Sequence, residues 1–223
     1  MTMQDRPDVE IAHDGFDDIV PDFRPVSPVA QKLIDVTVRM IDEQGEVAVR
    51  VQDVVAAAGV QVPVLYRHFG NREGLICAAH VQRLLDALRD ELGTLTAAIA
   101  GVRSREEFVA LLDAILVELR TPERLAIRTR RANVVGSTYG RPELGRAIGR
   151  LQFEAVRAIA DVLAPAQVKG WIRAELDLVD FAGWFMGLNM GRVLGELAPD
   201  EYHLDQWDAM TRVAVFAVLF GDD

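Results

Sequence analysis

The chain has 223 residues, half of them apolar (50%), and 34 acidic against 24 basic side chains give a net charge of −10. That apolar content suffices for a buried core and excludes a largely disordered chain. A single cysteine, Cys77, excludes an internal disulfide and fits a reducing compartment, so a cytoplasmic protein is expected.

No stretch approaches the roughly 20 uncharged apolar residues of a membrane span. The longest apolar window, Leu178 to Leu197, is broken by Asp180, Arg192 and Glu196. The opening run has neither a basic start nor an apolar core, so no secretory signal is expected in it. The acidity argues against a nucleic-acid partner, but it is uneven. Residues 1–27 carry seven acids and two arginines, whereas residues 28–80 carry six acids and five basic residues.

Residues 1–27, with Pro7, Pro21 and Pro25 and no periodicity, are read as a disordered acidic tail. A helix is predicted from Pro28 to Glu43, with Ser27 as cap, Pro28 in the first position and Gly45 as terminator. Val29, Leu33, Val36, Met40 and Ile41 form its apolar stripe. A second short helix follows, Val49 to Ala57, with Val51, Val54 and Val55 inward. Arg50 and Gln52 lie at its start, and Arg50 can grip a phosphate with two donors.

The turn Ala58-Gly59-Val60 needs a left-handed residue, which Gly59 supplies. The next helix runs from Gln61 to Phe69, with Pro63 in its first turn and Leu65 inward. Two short helices around a glycine turn outline a helix-turn-helix. In that reading Gln61 is suited to an adenine edge, and Val62 and Val64 to a thymine methyl. Tyr66 and His68 suit phosphate contacts; the plainer alternatives are a half-buried aromatic and a helix C-terminal cation.

Ala58-Gly59-Val60, Pro63, Leu65-Tyr66, His68-Phe69 and Asn71-Arg72-Glu73-Gly74-Leu75 together resemble the DNA-binding signature of the TetR family of bacterial transcription repressors. The resemblance covers Pro28 to Ala79, and it implies DNA contacts at Arg50, Gln52, Gln61, Val62, Val64, Tyr66, Arg67, His68 and Arg72. Two positions depart from the pattern. Gln61 stands where the family usually has a capping Ser or Thr, and Val49 where it usually has a capping Thr. Each lost cap costs about 1 kcal/mol.

Four further helical segments follow: Arg72 to Gly93, Glu106 to Arg120, Pro122 to Val135, and Pro142 to about Leu163, closed by Pro165 and Gly170. Asp177 to Leu197 repeats glycine every fourth residue, at Gly183, Gly187, Gly191 and Gly195. Each costs roughly 1 kcal/mol in a helix interior. The ridge therefore calls for a closely packed neighbour, from this chain or a second copy, unless the segment breaks at a glycine. The last segment, Leu204 to Phe220, carries Trp207, Met210 and Ala214. With Gly183, Gly187 and Gly191 these form the expected homodimer face, which is also where the resembled family dimerises.

No period-two strand appears, so the fold class is all-α: a three-helix helix-turn-helix domain over 28–78 and a larger helical ligand-binding and dimerisation domain over 79–223. The candidate pocket residues are Phe108, Leu112, Ile115, Asn133, Ser137, Phe153, Trp184, Asn189 and Met190. The resemblance implies a ligand-responsive homodimeric regulator, a repressor released from a palindromic operator by a small molecule. The alternative is a helical adaptor that has lost specific DNA binding. An enzyme is not expected: the four histidines form no metal-ligand motif, and no nucleophile motif or phosphate-cradling loop occurs. No cofactor, metal or membrane partner is expected.

Overall fold

The computed structural model describes residues 27–221, apart from the side chain of Asp90. The acidic tail expected over residues 1–27 lies outside the described residues except for Ser27. Among the described residues there are nine α-helices and no strand. They are α1 (Pro28–Gln44), α2 (Val51–Ala58), α3 (Val62–Phe69), α4 (Arg72–Ala100), α5 (Arg105–Glu118), α6 (Pro122–Gly136), α7 (Pro142–Val168), α8 (Leu178–Glu196) and α9 (Leu204–Phe220). None is long and apolar enough to cross a membrane.

Local chemistry sets most boundaries. The Ser27 hydroxyl accepts from the Ala30 amide at 3.1 Å, and Gly45 stops α1 at a φ of 81°. Asn71 caps α4 by accepting from the Gly74 amide at 2.8 Å. Asp177 accepts from the amides of Val179 and Asp180 at 2.8 and 3.0 Å and opens α8. Each such cap is worth about 1 kcal/mol.

Several boundaries differ from the sequence reading. A 3-10 turn, Glu46–Ala48, intervenes before α2, and Arg50 rather than Val49 is the N-cap residue of that helix. Val49 is instead a core residue, 2% exposed. Val29 lies outside the apolar stripe of α1, whereas Ala30, Ile34 and Thr37 are inside it. Helix α4 runs on through Gly93 to Ala100; a lone glycine costs only about 1 kcal/mol, less than the surrounding packing supplies. Helix α7 continues past Pro165 to Val168, because a proline near the end of a helix removes only one ladder bond.

Helix α4 is the spine. At 29 residues it is about 43 Å long. Its first turns, Leu75, Ile76 and Ala79, complete a head core with Leu33, Val36, Val54, Ala58 and Leu65. Further along, Leu84, Leu85, Leu88 and Leu92 pack against Leu144, Ile148 and Leu151 of α7. A third cluster joins Phe108 of α5, Leu163 of α7, Phe181 of α8 and Leu219 of α9. Leu65, fully buried, is the pin of α3; truncation to Ala would cost about 2–5 kcal/mol and release that helix.

Candidate nucleic-acid interface and effector core

Helices α2 and α3 meet across Gly59, whose φ of 68° and ψ of 35° are left-handed. The glycine lets α3 leave α2 sharply while Val60 donates back to the Val55 carbonyl at 2.9 Å. With Leu65 pinned inward, Gln61, Tyr66 and Arg67 are left exposed and Val64 and His68 half-buried. Arg50 and Gln52 are exposed at the start of α2. Val62 gives part of its surface to the head core. The α3 N-terminus has no side-chain cap at Gln61. Pro63 has no N–H and Val64 donates to the Gln61 carbonyl at 2.9 Å, so of the first three amides of α3 only that of Val62 is left for an anion.

Arg72 differs from its predicted role. Its Nε donates to the Val49 carbonyl at 2.9 Å and its Nη2 to the Glu46 carbonyl at 2.8 Å. These bonds tie the turn before α2 to the start of α4, so Arg72 holds the head together rather than facing outward.

A polar latch joins head and core. Arg141, in the connection between α6 and α7, donates to both Glu46 and Glu73. Its guanidinium holds the Glu46 carboxyl down to about 2, an effect burial opposes and His80 assists. Beside it, His80 is fully buried, with Nε2 at 2.9 Å from Glu46 and Nδ1 at 3.2 Å from Nη1 of Arg83. A carboxylate only accepts and a guanidinium only donates, so Nε2 carries the proton and Nδ1 is bare. Burial above all holds the pKa of His80 below its usual value. Arg83 also donates to Asp42 at 3.0 Å and to the side-chain oxygen of Asn133 at 2.8 Å, and Arg130 pairs with Asp42 at 3.1 Å.

Of this latch only Asn133 is a site residue in the sequence reading, and there it is assigned to the pocket. Arg141 lies 95 residues from Glu46, and such partners leave no local periodicity. The one signal was His80 inside the apolar run of α4. Cys77 nearby is buried, and desolvation raises its thiol to about 11, a value that makes it inert.

In the core, a cavity of about 170 Å³ lies among α4 to α8. Of the predicted pocket residues, Ile115 and Asn189 line it; the rest of the wall includes Leu95, Ile159, Phe185, Met186, Glu91, Arg124 and Arg131. Phe108 is instead buried core, against Trp171 and Phe220, and Leu112 packs on the same cluster. Asn133 serves the latch, Ser137 donates to the Val134 carbonyl at 2.8 Å, and Met190 lies off the cavity wall. Phe153 and Trp184 are on the surface, 54% and 40% exposed. Helical spacing reveals that a side chain points inward but not toward which interior.

The glycine ridge divides. A Cβ on Gly191 would meet the ring of Trp207 at 3.8 Å, and one on Gly195 would meet Leu204 at 2.8 Å. These two glycines, with Trp207, thus serve packing of α9 on α8 within the chain. Gly187 has nothing within 4 Å, and Gly183 meets only Val156 at 3.9 Å. Each four-residue step turns a helix about 40° past a full circle, so the ridge drifts from the inner to the outer side. Exposed Gly183, Trp184 and Gly187 therefore share the outer surface with Met210 and Val213 of α9, both more than 60% exposed.

Residues 33–79 match the family model described as bacterial regulatory proteins, tetR family. The HTH-type transcriptional regulator BetI of Rhizobium meliloti (strain 1021) is 34% identical over 88 residues, which is 39% of this chain and 42% of that relative. The chain thus aligns with under half the length of the curated relative it matches. A solved structure from Rhodococcus sp., described as a TetR-family transcriptional regulator, is 23% identical, with 86% of this chain and 98% of that one covered at a TM-score of 0.59. Another so described, from Mesorhizobium loti, reaches 0.62 at 16% identity, covering 85% and 96%.

Proposed function

We propose that this chain, which belongs to the tetR family of bacterial regulatory proteins, acts as a homodimeric DNA-binding transcriptional regulator released from a near-palindromic operator by a small molecule. The observation that carries this reading is the α2–Gly59–α3 unit, which presents Gln61, Tyr66 and Arg67 outward from a buried Leu65. Arg50 and Gln52 flank that face and suit backbone phosphates, while Gln61 and Val64 suit base edges. The exposed apolar surface of α8 and α9 supports pairing with a second copy. A two-fold dimer must set its α3 helices about 34–36 Å apart to read successive major grooves.

The core cavity supports a small-molecule effector. A ligand that prefers the DNA-incompetent state would lower operator affinity by its difference in affinity for the two states. Repression rather than activation belongs to the same proposal.

Selection of random duplexes on the purified protein tests the reading, with recovery of a palindrome expected and binding that weakens steeply with salt. No enriched site at low salt would favour the alternative, a helical adaptor without specific DNA binding. The net charge of −10 and the absent side-chain cap at Gln61 favour that alternative.

A further inference from the structure

We propose that the core cavity takes a small apolar monocarboxylic acid, recognised by Arg131 with Arg124. The inference rests on the reading of that cavity as the effector site and adds the chemical class. Arg131, in α6, is 5% exposed and lines the cavity. Its Nη2 donates to Glu91 at 2.7 Å, while its Nε finds no acceptor. An orphaned buried donor of this kind is costly, more so on a charged group. The missing partner must be an acceptor, so the ligand presents an oxygen rather than an N–H or an ammonium.

The charge balance makes that oxygen anionic. Arg124 and Arg131 expose 19% and 4% of their side chains, and the carboxylate they share, Glu91, exposes 26%. Glu118, 3.6 Å from Arg124, is 59% exposed and largely solvated. Glu118 also lines the cavity, but at its open, solvated side, so the buried part of the wall holds two guanidiniums against the one carboxylate of Glu91. The Arg124–Glu91 approach is long, at 3.9 Å, and can yield to an incoming carboxylate. Apolar side chains, Leu95, Ile115, Ile159 and Phe185 among them, make up most of the remaining wall, with Thr94 and Asn189 its polar members. An apolar cavity of roughly 150 Å³ admits a benzene-sized guest, so the 170 Å³ here suits an acid of that size.

Calorimetric titration of the whole protein with benzoate, benzamide and benzylamine tests the assignment. Benzoate should bind about tenfold or more tightly than benzamide, and benzylamine should not bind. Arg131→Met should abolish benzoate binding while helicity and dimer mass are unchanged. If that variant does not fold, Glu91→Gln carries the test: it removes the competing carboxylate and should tighten benzoate several-fold.

The assignment is overturned if benzylamine or benzamide binds as well as benzoate. It is equally overturned if the folded variants leave benzoate affinity unchanged, or if none of the three binds at millimolar concentration. Repeating the titration with a selected duplex present separates the two readings. Benzoate binding with no loss of duplex affinity would overturn effector release alone. Duplex binding without acid binding would overturn the acid assignment alone.

Discussion

Replacing Arg141 with Gln should cost about 1–2 kcal/mol of stability at neutral pH, and the cost should shrink in acid. Glu46, lowered from 4.5 to about 2 chiefly by its hydrogen bonds to Arg141, corresponds to roughly 3 kcal/mol of differential interaction. The two side chains are 20% and 24% exposed, and solvent screening reduces the figure to about 1–2. A depressed carboxylate stabilises the fold fully above its unfolded pKa of 4.5 and loses that contribution as pH falls toward 2.

By pH 3.5 roughly two fifths of the Glu46 contribution should be gone. Urea unfolding of the wild type and Arg141→Gln at pH 7 and pH 3.5, at one fixed protein concentration, measures the difference at each pH. A penalty that is the same at both pH values would refute the reasoning, because it would place the value of Arg141 in packing rather than in its charge.

The buried neutral His80 works in the adjoining window. Its lowered pKa means that stability is complete above its unfolded value of 6.5 and declines as pH drops below it. His80→Gln should flatten the unfolding profile between pH 6.5 and 5. Gln61→Ser should raise stability by about 0.5–1 kcal/mol by capping α3, read as a higher urea midpoint. A Cβ added at Gly187 would meet no atom of the rest of its own chain within 4 Å, so Gly187→Leu should retain helicity while sedimentation shows loss of dimer. Tyr66→Phe removes only a hydroxyl from a side chain 46% exposed. Operator affinity should fall about fivefold with the unfolding midpoint unchanged.

The head was legible because its determinants are local. Ser27, Gly45, Gly59, Pro63 and Gly70 each fix a boundary within four residues of themselves, and the apolar positions between them repeat at one helical period. The core was legible only as a set of helices. Phe108 and Ile115 sit on one helix and both read as inward, yet one joins a packed aromatic cluster and the other a cavity. Which interior each faces depends on how five helices converge, and no window of one helix contains that. The glycine ridge had the same defect: a period of four was visible, but its slow drift gives Gly195 and Gly187 different neighbours.

The latch bears on the objection that an acidic chain is a poor ligand for DNA. Residues 28–80 carry six acids against five basic residues. Three of those acids, Asp42, Glu46 and Glu73, are engaged by Arg83, Arg130 and Arg141, which lie outside the segment. Within the head this leaves five cations, one of them the inward-turned Arg72, against three unmatched carboxylates, so the field at its surface is more positive than the local count implies. The core thus supplies charge as well as support. Uncovering Glu46 and Glu73 by Arg141→Gln should therefore weaken operator binding beyond what lost stability explains. Because the added repulsion acts through solvent, the deficit should narrow as salt is raised toward 0.5 M. A deficit independent of salt would mean that Arg141 affects DNA binding only by orienting the head.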